Sequence, residues 1–340
     1  LMLKILTIVG TRPEIIRLSR IIEILDKNSN HKLLHTGQNF DFELNKIFFN
    51  ELKIREPDFF LDVACETPSQ TIGQVIFRAD SILASEKPDA ILVLGDTNSC
   101  LATIPAKRRK IPIFHIEAGN RCYDQRVPEE INRKIVDHLS DINLVYSDIA
   151  RENLLREGLP TNQIIKIGSP MFEVLNYYLP QINKSNILKK LQMSSEKYFL
   201  VSAHREENVD TEENLHDLLE TLEALAESYQ FPIIVSTHPR TRKRIEKLGV
   251  KGVNPLIRFV KPFGLLDYIK LQMSAFCILS DSGTITEEAS LLNLPAITIR
   301  NAHERPEGMD EGTMIMSSLK KERVLESIKV ITNQHSRDSR

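Results

Sequence analysis

Acidic, basic and hydroxyl side chains recur in this chain just past the ends of short apolar runs. LKILTIV leads into Gly10-Thr11-Arg12-Pro13-Glu14, AILVL into Gly95-Asp96-Thr97, and IPIFHI into Glu117-Ala118-Gly119. YFLVSA leads into His204-Arg205-Glu206, a later apolar run into His238-Pro239-Arg240, and FCIL into Ser280-Asp281-Ser282-Gly283-Thr284. Asp96 and Glu117 could divide acid and base roles, because neighbouring carboxylates push each other's pKa values apart. His204 and His238, each close to an arginine, could move a proton or hold a phosphate. Hydroxyls and amides at Ser282, Gly283 and Thr284 could cradle an anion at the start of the next helix. Glu287 and Glu288, one turn further on, offer a carboxylate to ribose hydroxyls. Arg12 at the first turn, with Arg300 and Arg305 near the end, adds positive charge.

Each residue also has a plain structural use. Asp96 could cap the following helix, and Arg12 could be an ordinary surface side chain. Glu117 has no capping rationale but could pair with Arg121 or Arg126. Glu129 and Glu130 follow Pro128 and would complement a helix dipole; one of them would still face the same rim, with Arg133 as an ion-pair partner. Ser282 or Thr284 could simply cap a helix. Gly10–Glu14 is neither a GxGxxG nor a Walker loop, so standard dinucleotide and triphosphate sites are unsupported.

The elements that must position these residues follow from the hydrophobic pattern. Near-continuous apolar runs predict strands over 3–9, 32–36, 90–94, 112–116, 142–146, 164–167, 198–203, 232–237, 257–260, 276–280 and 295–299. Helical spacing predicts helices over 14–27, 41–52, 69–85, 98–109, 128–139, 148–156, 171–179, 212–228, 241–248, 263–274, 284–292 and 321–333. Short apolar strands alternating with helices belong to parallel sheets covered on both faces. In such sheets ligands bind outside the carboxyl ends of the strands, where the reactive residues sit. The fold class is α/β: two Rossmann-like doubly wound domains facing across a cleft. The weakly patterned stretch 180–196 marks the junction, giving domains at 1–168 and 169–320, with the helix 321–333 crossing back to the first.

Composition narrows the function. The 340 residues suffice for two domains, and the formal net charge of -2 gives no field suited to nucleic acid or an anionic membrane. No apolar run reaches the ~18 residues of a membrane span, and the opening segment reads as a strand rather than a signal peptide. Cys65, Cys100, Cys122 and Cys277 form no CxxC pair, so they read as thiols in a cytoplasmic protein, with no metal site.

Taken together, GTRPE, GDT, HIEAG, PEEINR, AHREEN, SDSG with EEA, and ERPE resemble the non-hydrolysing UDP-N-acetylglucosamine 2-epimerases, in that family's order from residue 10 to residue 307. The resemblance implies a glycosyltransferase-B arrangement and a UDP-sugar substrate with no cofactor. UDP is eliminated to a glycal by removal of the C2 proton and re-added after the proton returns on the other face. Asp96, Glu117, Glu129 and His204 would then be catalytic. Arg12, Arg205, His238, Ser282, Gly283, Thr284, Glu288 and Arg305 would bind UDP or sugar, with Glu288 on the ribose. A homodimer is implied as well. The chain departs from the family at Arg17, where a lysine is usual, and at Thr284, where a second glycine is usual. It departs again at Gln38-Asn39-Phe40, which puts allosteric activation by a second nucleotide sugar in doubt. The segment NRCYDQRVPEE after Glu117 is shorter than usual and resembles the branch that forms UDP-N-acetyl-L-fucosamine from the L-talosamine epimer. A glycosyltransferase of the same fold, a hydrolysing epimerase and a silent nucleotide-sugar sensor are the alternatives.

Overall fold

The computed structural model describes residues 2–38, 42–125, 127–203, 208, 211–237, 244, 254–299 and 314–334. The chain divides into two compact units, Leu1–Tyr177 and Tyr178–Arg340.

The first unit is built on seven strands: β1 (Lys4–Val9), β2 (Asn30–His35), β3 (Phe59–Phe60), β4 (Ala90–Leu94), β5 (Ile113–Ile116), β6 (Ile142–Val145) and β7 (Ile164–Lys166). Their order is β3-β2-β1-β4-β5-β6-β7, and every pairing is parallel. The helices are α1 (Arg12–Asn28), α2 (Phe42–Glu51), α3 (Pro68–Glu86), α4 (Thr103–Arg108), α5 (Pro128–Leu139), α6 (Asp148–Arg156) and α7 (Pro170–Asn183), the last running across the division. β4 reads AILVL and is buried at all five positions, as a parallel strand packed on both faces must be. Leu6, Ile8, Ile91, Val93 and Ile113 pack with Val75, Ala79 and Leu83 of α3 in one core.

Among the described residues the second unit has six parallel strands, β8 (Phe199–Ser202), β9 (Ile233–Ser236), β10 (Ile257–Val260), β11 (Cys277–Ser280), β12 (Ala296–Ile299) and β13 (Met314–Ser317), in the order β10-β9-β8-β11-β12-β13. Its described helices are α8 (Ile187–Leu191), α9 (Glu212–Tyr229), α10 (Leu265–Ser274), α11 (Thr284–Leu292) and α12 (Lys321–Gln334). α9 is capped by Thr211, whose hydroxyl accepts from the Asn214 amide at 3.2 Å. It buries Leu215, Leu218, Leu222 and Leu225 against Phe199, Val201 and Val235, each worth roughly 1.5–3 kcal/mol of transfer free energy.

Three features depart from the sequence expectation. β3, only two residues long, and β13 are additional strands. α8 interrupts the polar stretch read as a junction, with Ile187 as its buried anchor. The last helix was expected on the first domain; instead Val324, Ile328 and Ile331 of α12 join the core of the second unit. The expected helix 241–248 lies outside the described residues apart from one position. No described helix is long and apolar enough to cross a membrane.

Strand order reverses between β1 and β4 in the first sheet and between β8 and β11 in the second. At such switch points crossover helices diverge to opposite faces and open a crevice past the strand ends. Gly10 and Gly95 follow the first pair of strands, and Ser282 follows β11.

Candidate active site

The rim of the first unit is assembled from the ends of β1, β4 and β5 and from α5. The Gly95 amide donates to the Ile116 carbonyl at 2.9 Å, which sets Asp96 and Glu117 at neighbouring strand ends. Asp96 does not cap the short 3₁₀ turn that follows it. Its carboxylate forms an ion pair with Nη2 of the buried Arg133, and its carbonyl accepts from Asn132 Nδ2 at 3.0 Å. Glu117 pairs with an arginine that was not considered as its partner from the sequence. Arg17 Nη1 lies 3.1 Å from Glu117 Oε2, with both side chains nearly fully buried, while Arg126 lies outside the described residues. Both carboxylates are therefore charge-compensated inside the protein, as buried charges must be. Glu117 has φ +66°, a left-handed conformation that costs a non-glycine residue about 1–2 kcal/mol. That strain is held in place because the Glu117 and Ala118 amides approach the Leu144 carbonyl at 3.1 and 3.4 Å.

The first turn carries a group the sequence reading passed over. Glu14 is buried, and its carboxylate accepts from the amides of Gly10 at 2.5 Å and Thr11 at 2.8 Å and from the Thr97 hydroxyl at 2.5 Å. It thus ties the β1 turn to the residue after Asp96. Burial pushes its pKa up to about 7, against the lowering effect of those three donors. A Thr-x-x-Glu spacing ahead of an apolar helix was the available signal. Gly10 is required here for space: a Cβ would fall 2.0 Å from Ser99 Oγ and 2.2 Å from Thr36 Oγ1. Arg12 is exposed, with its guanidinium carbon 5.6 Å from the centre of the Phe48 ring.

Glu129 is half-buried in the first turn of α5. Its neighbour Glu130 is fully buried, accepting from the Cys122 amide at 3.0 Å and pairing with Lys134 at 3.2 Å. Arg133 also reaches the Asn120 carbonyl at 3.3 Å. Arg121 forms a bidentate pair with Glu157 at 2.7 and 2.6 Å and meets Asp137 at 2.8 Å. Burial opposes the Asp137 carboxylate, yet His115 and Arg121 hold its pKa below the usual range.

In the second unit, Ser282, Gly283 and Thr284 lead into α11. The Ser282 amide donates to Ser280 Oγ at 3.1 Å, and the Ser282 and Thr284 hydroxyls are 3.0 Å apart. The Thr284 hydroxyl is thus turned back toward Ser282. Glu288 is buried and accepts from Gln272 Nε2 at 2.6 Å. Asn208 Nδ2 bridges Asp281 Oδ2 at 3.1 Å and the Ile299 carbonyl at 2.9 Å, pinning the start of the loop. His204, Arg205, His238 and Arg305 lie outside the described residues. Among the described residues no cluster of three or more histidine, cysteine or acidic side chains could hold a metal ion.

Two parallel α/β units thus carry acid, amide and hydroxyl groups just past strand ends, where enzymes of this fold class bind their ligands. The profile of the UDP-N-acetylglucosamine 2-epimerase family matches residues 23–340. A UDP-N-acetylglucosamine 2-epimerase of Methanocaldococcus jannaschii is 37% identical over 340 residues, covering 98% of this chain and 93% of that protein. A structure of a UDP-N-acetylglucosamine 2-epimerase from Rickettsia bellii is 57% identical, with a TM-score of 0.94 over 100% of this chain and 90% of that one. The M. jannaschii enzyme in complex with UDP-GlcNAc and UDP superposes with a TM-score of 0.91 at 36% identity, covering 98% and 93% of the two chains. A UDP-2,3-diacetamido-2,3-dideoxy-D-glucuronate 2-epimerase of Pseudomonas aeruginosa is 33% identical over 330 residues, covering 96% of this chain and 91% of that protein. The chain belongs to the UDP-N-acetylglucosamine 2-epimerase family.

Proposed function

We propose that this enzyme inverts carbon 2 of a UDP-N-acetylated amino sugar, converting UDP-N-acetylglucosamine to its manno epimer. In the forward half-reaction a carboxylate takes the C2 proton, the C–H electrons form the C1=C2 bond, and the C1–O electrons leave with UDP. In the return half-reaction the proton is delivered to the opposite face and UDP re-adds at C1. This requires two proton-handling groups and a held leaving group. The observation that carries the reading is the pair Asp96 and Glu117, on adjacent strand ends and each compensated by a buried arginine. Glu129 and His204 complete the proposed proton-handling set. Ser282, Gly283 and Thr284 would hold the diphosphate with Arg12, Arg205, His238 and Arg305, and Glu288 would hold the ribose.

That the relative from M. jannaschii was solved with UDP-GlcNAc and UDP supports this substrate class. We also infer a homodimer working in the cytoplasm; light scattering of the purified protein checks the first, and fractionation of the source cells the second. The test of the chemistry is proton NMR in heavy water with a panel of UDP-N-acetylated sugars and no acceptor. A new UDP-sugar epimer carrying deuterium at C2 supports the proposal. Inertness toward the whole panel points to a transferase, release of free sugar to a hydrolysing epimerase, and UDP binding without exchange to a sensor.

A further inference from the structure

Behind the two carboxylate-bearing turns lies a buried pair that the reaction does not touch. His115 of β5 and Asp137 of α5 have no exposed side-chain surface. His115 Nε2 is 2.7 Å from the Gly95 carbonyl, which can only accept, so this nitrogen carries a hydrogen. His115 Nδ1 lies 2.9 Å from Asp137 Oδ1. The Asp137 carboxylate in turn accepts from the Gly119 amide at 3.3 and 3.2 Å. The line Gly95 carbonyl, His115, Asp137, Gly119 amide therefore runs from the residue before Asp96 to two residues past Glu117. Both glycines are left-handed, at φ +78° and +79°. A Cβ at Gly119 would meet the Ala150 carbonyl oxygen at 2.3 Å, so that turn requires glycine there. Arg121 pairs with Asp137 and is itself held by Glu157.

We propose that His115 and Asp137 are positioning residues that fix the separation of Asp96 and Glu117. The pair holds the turn after β4 and the turn after β5 at one distance, so that proton removal and return happen on a single sugar geometry. The inference rests on the function proposed above. A displacement of about 1 Å in such a constellation can cost about 10²-fold in rate.

The experiment compares His115→Gln with His115→Asn. The longer glutamine amide can still donate toward the Gly95 carbonyl; the shorter asparagine amide cannot reach it while facing Asp137. For the asparagine variant we expect kcat to fall about 10²-fold with KM changed less than about threefold, and for the glutamine variant we expect kcat to recover by at least tenfold over it. Equal kcat in both variants and the parent, with only the melting temperature lowered, would mean that the pair merely supports the fold. A crystal structure of His115→Asn provides a readout independent of turnover: a shift between the Asp96 and Glu117 carboxylates supports the spacer, and an unchanged separation overturns it. Should the parent turn over no UDP-sugar, the proposed function fails, and the crystallographic comparison still decides the spacer.

Discussion

Replacing Glu14 by glutamine should remove one segment of the pH dependence of stability. The carboxyl, at an ordinary value of 4.5 in the unfolded chain, titrates at about 7 in the folded protein. Between those values the native state holds a proton that the unfolded state has released, so unfolding free energy falls as pH rises through the window. The contribution is fully present below pH 4.5 and lost above about 7. A gap of about 2.5 at ~1.36 kcal/mol per pH unit amounts to roughly 3 kcal/mol. Glutamine reproduces the neutral form: its carbonyl can accept from Gly10 and Thr11 while its amide donates to Thr97. His35, pushed down to about 4 by burial, gives a slope of opposite sign over much of the same range, so the parent curve alone is ambiguous. The difference between Glu14→Gln and the parent cancels His35. Urea unfolding followed by circular dichroism from pH 4 to 8 should show the variant gaining about 3 kcal/mol on the parent across the window. A difference that stays flat to within about 0.5 kcal/mol, or slopes the other way, would refute the assignment of a buried, proton-holding Glu14.

Three further outcomes are expected. Glu117→Gln should abolish deuterium incorporation at C2 while calorimetry still shows UDP binding; full exchange would remove Glu117 from the mechanism. Ser282→Ala should weaken UDP binding about fivefold, for a lost hydrogen bond of about 1 kcal/mol, and unchanged affinity would contradict a diphosphate contact there. Gly10→Ala drives a methyl into two hydroxyls and should cost about 1–3 kcal/mol, read as a lower melting temperature; an unaltered one would mean that Thr36 and Ser99 yield freely.

The strand-end pattern was legible because parallel strands covered on both faces write themselves as unbroken apolar runs, and because the sheet places whatever follows those runs on one rim. Asp96, Glu117 and the Ser282 loop could be picked out on that ground alone. The groups that hold them could not. Arg17, Arg133 and Asp137 sit on helices among residues of similar character, and which partner each meets depends on crossover geometry that spacing does not encode. His115 left a trace, as a polar residue next to the end of IPIFHI that must find partners if the strand is buried, but the trace does not name them. The placement of α12 was misjudged because its amphipathic face specifies that it packs, not on which sheet.

The helix α5 has a consequence for anyone redesigning sugar preference. Asn132 and Arg133 hold the Asp96 turn, Glu130 holds the Cys122 amide, and Asp137 holds Gly119. The segment 117–125 is thus tied to this helix, and both are tied to residues outside them, Glu117 to Arg17, Arg121 to Glu157 and Arg133 to Asp96. A chimera whose imported loop lacks an arginine at position 121 would deprive the buried Asp137 of that partner, at about 3–5 kcal/mol for the broken pair. A graft of this region must therefore match Arg17, Asp96, His115 and Glu157 in the host as well as the helix.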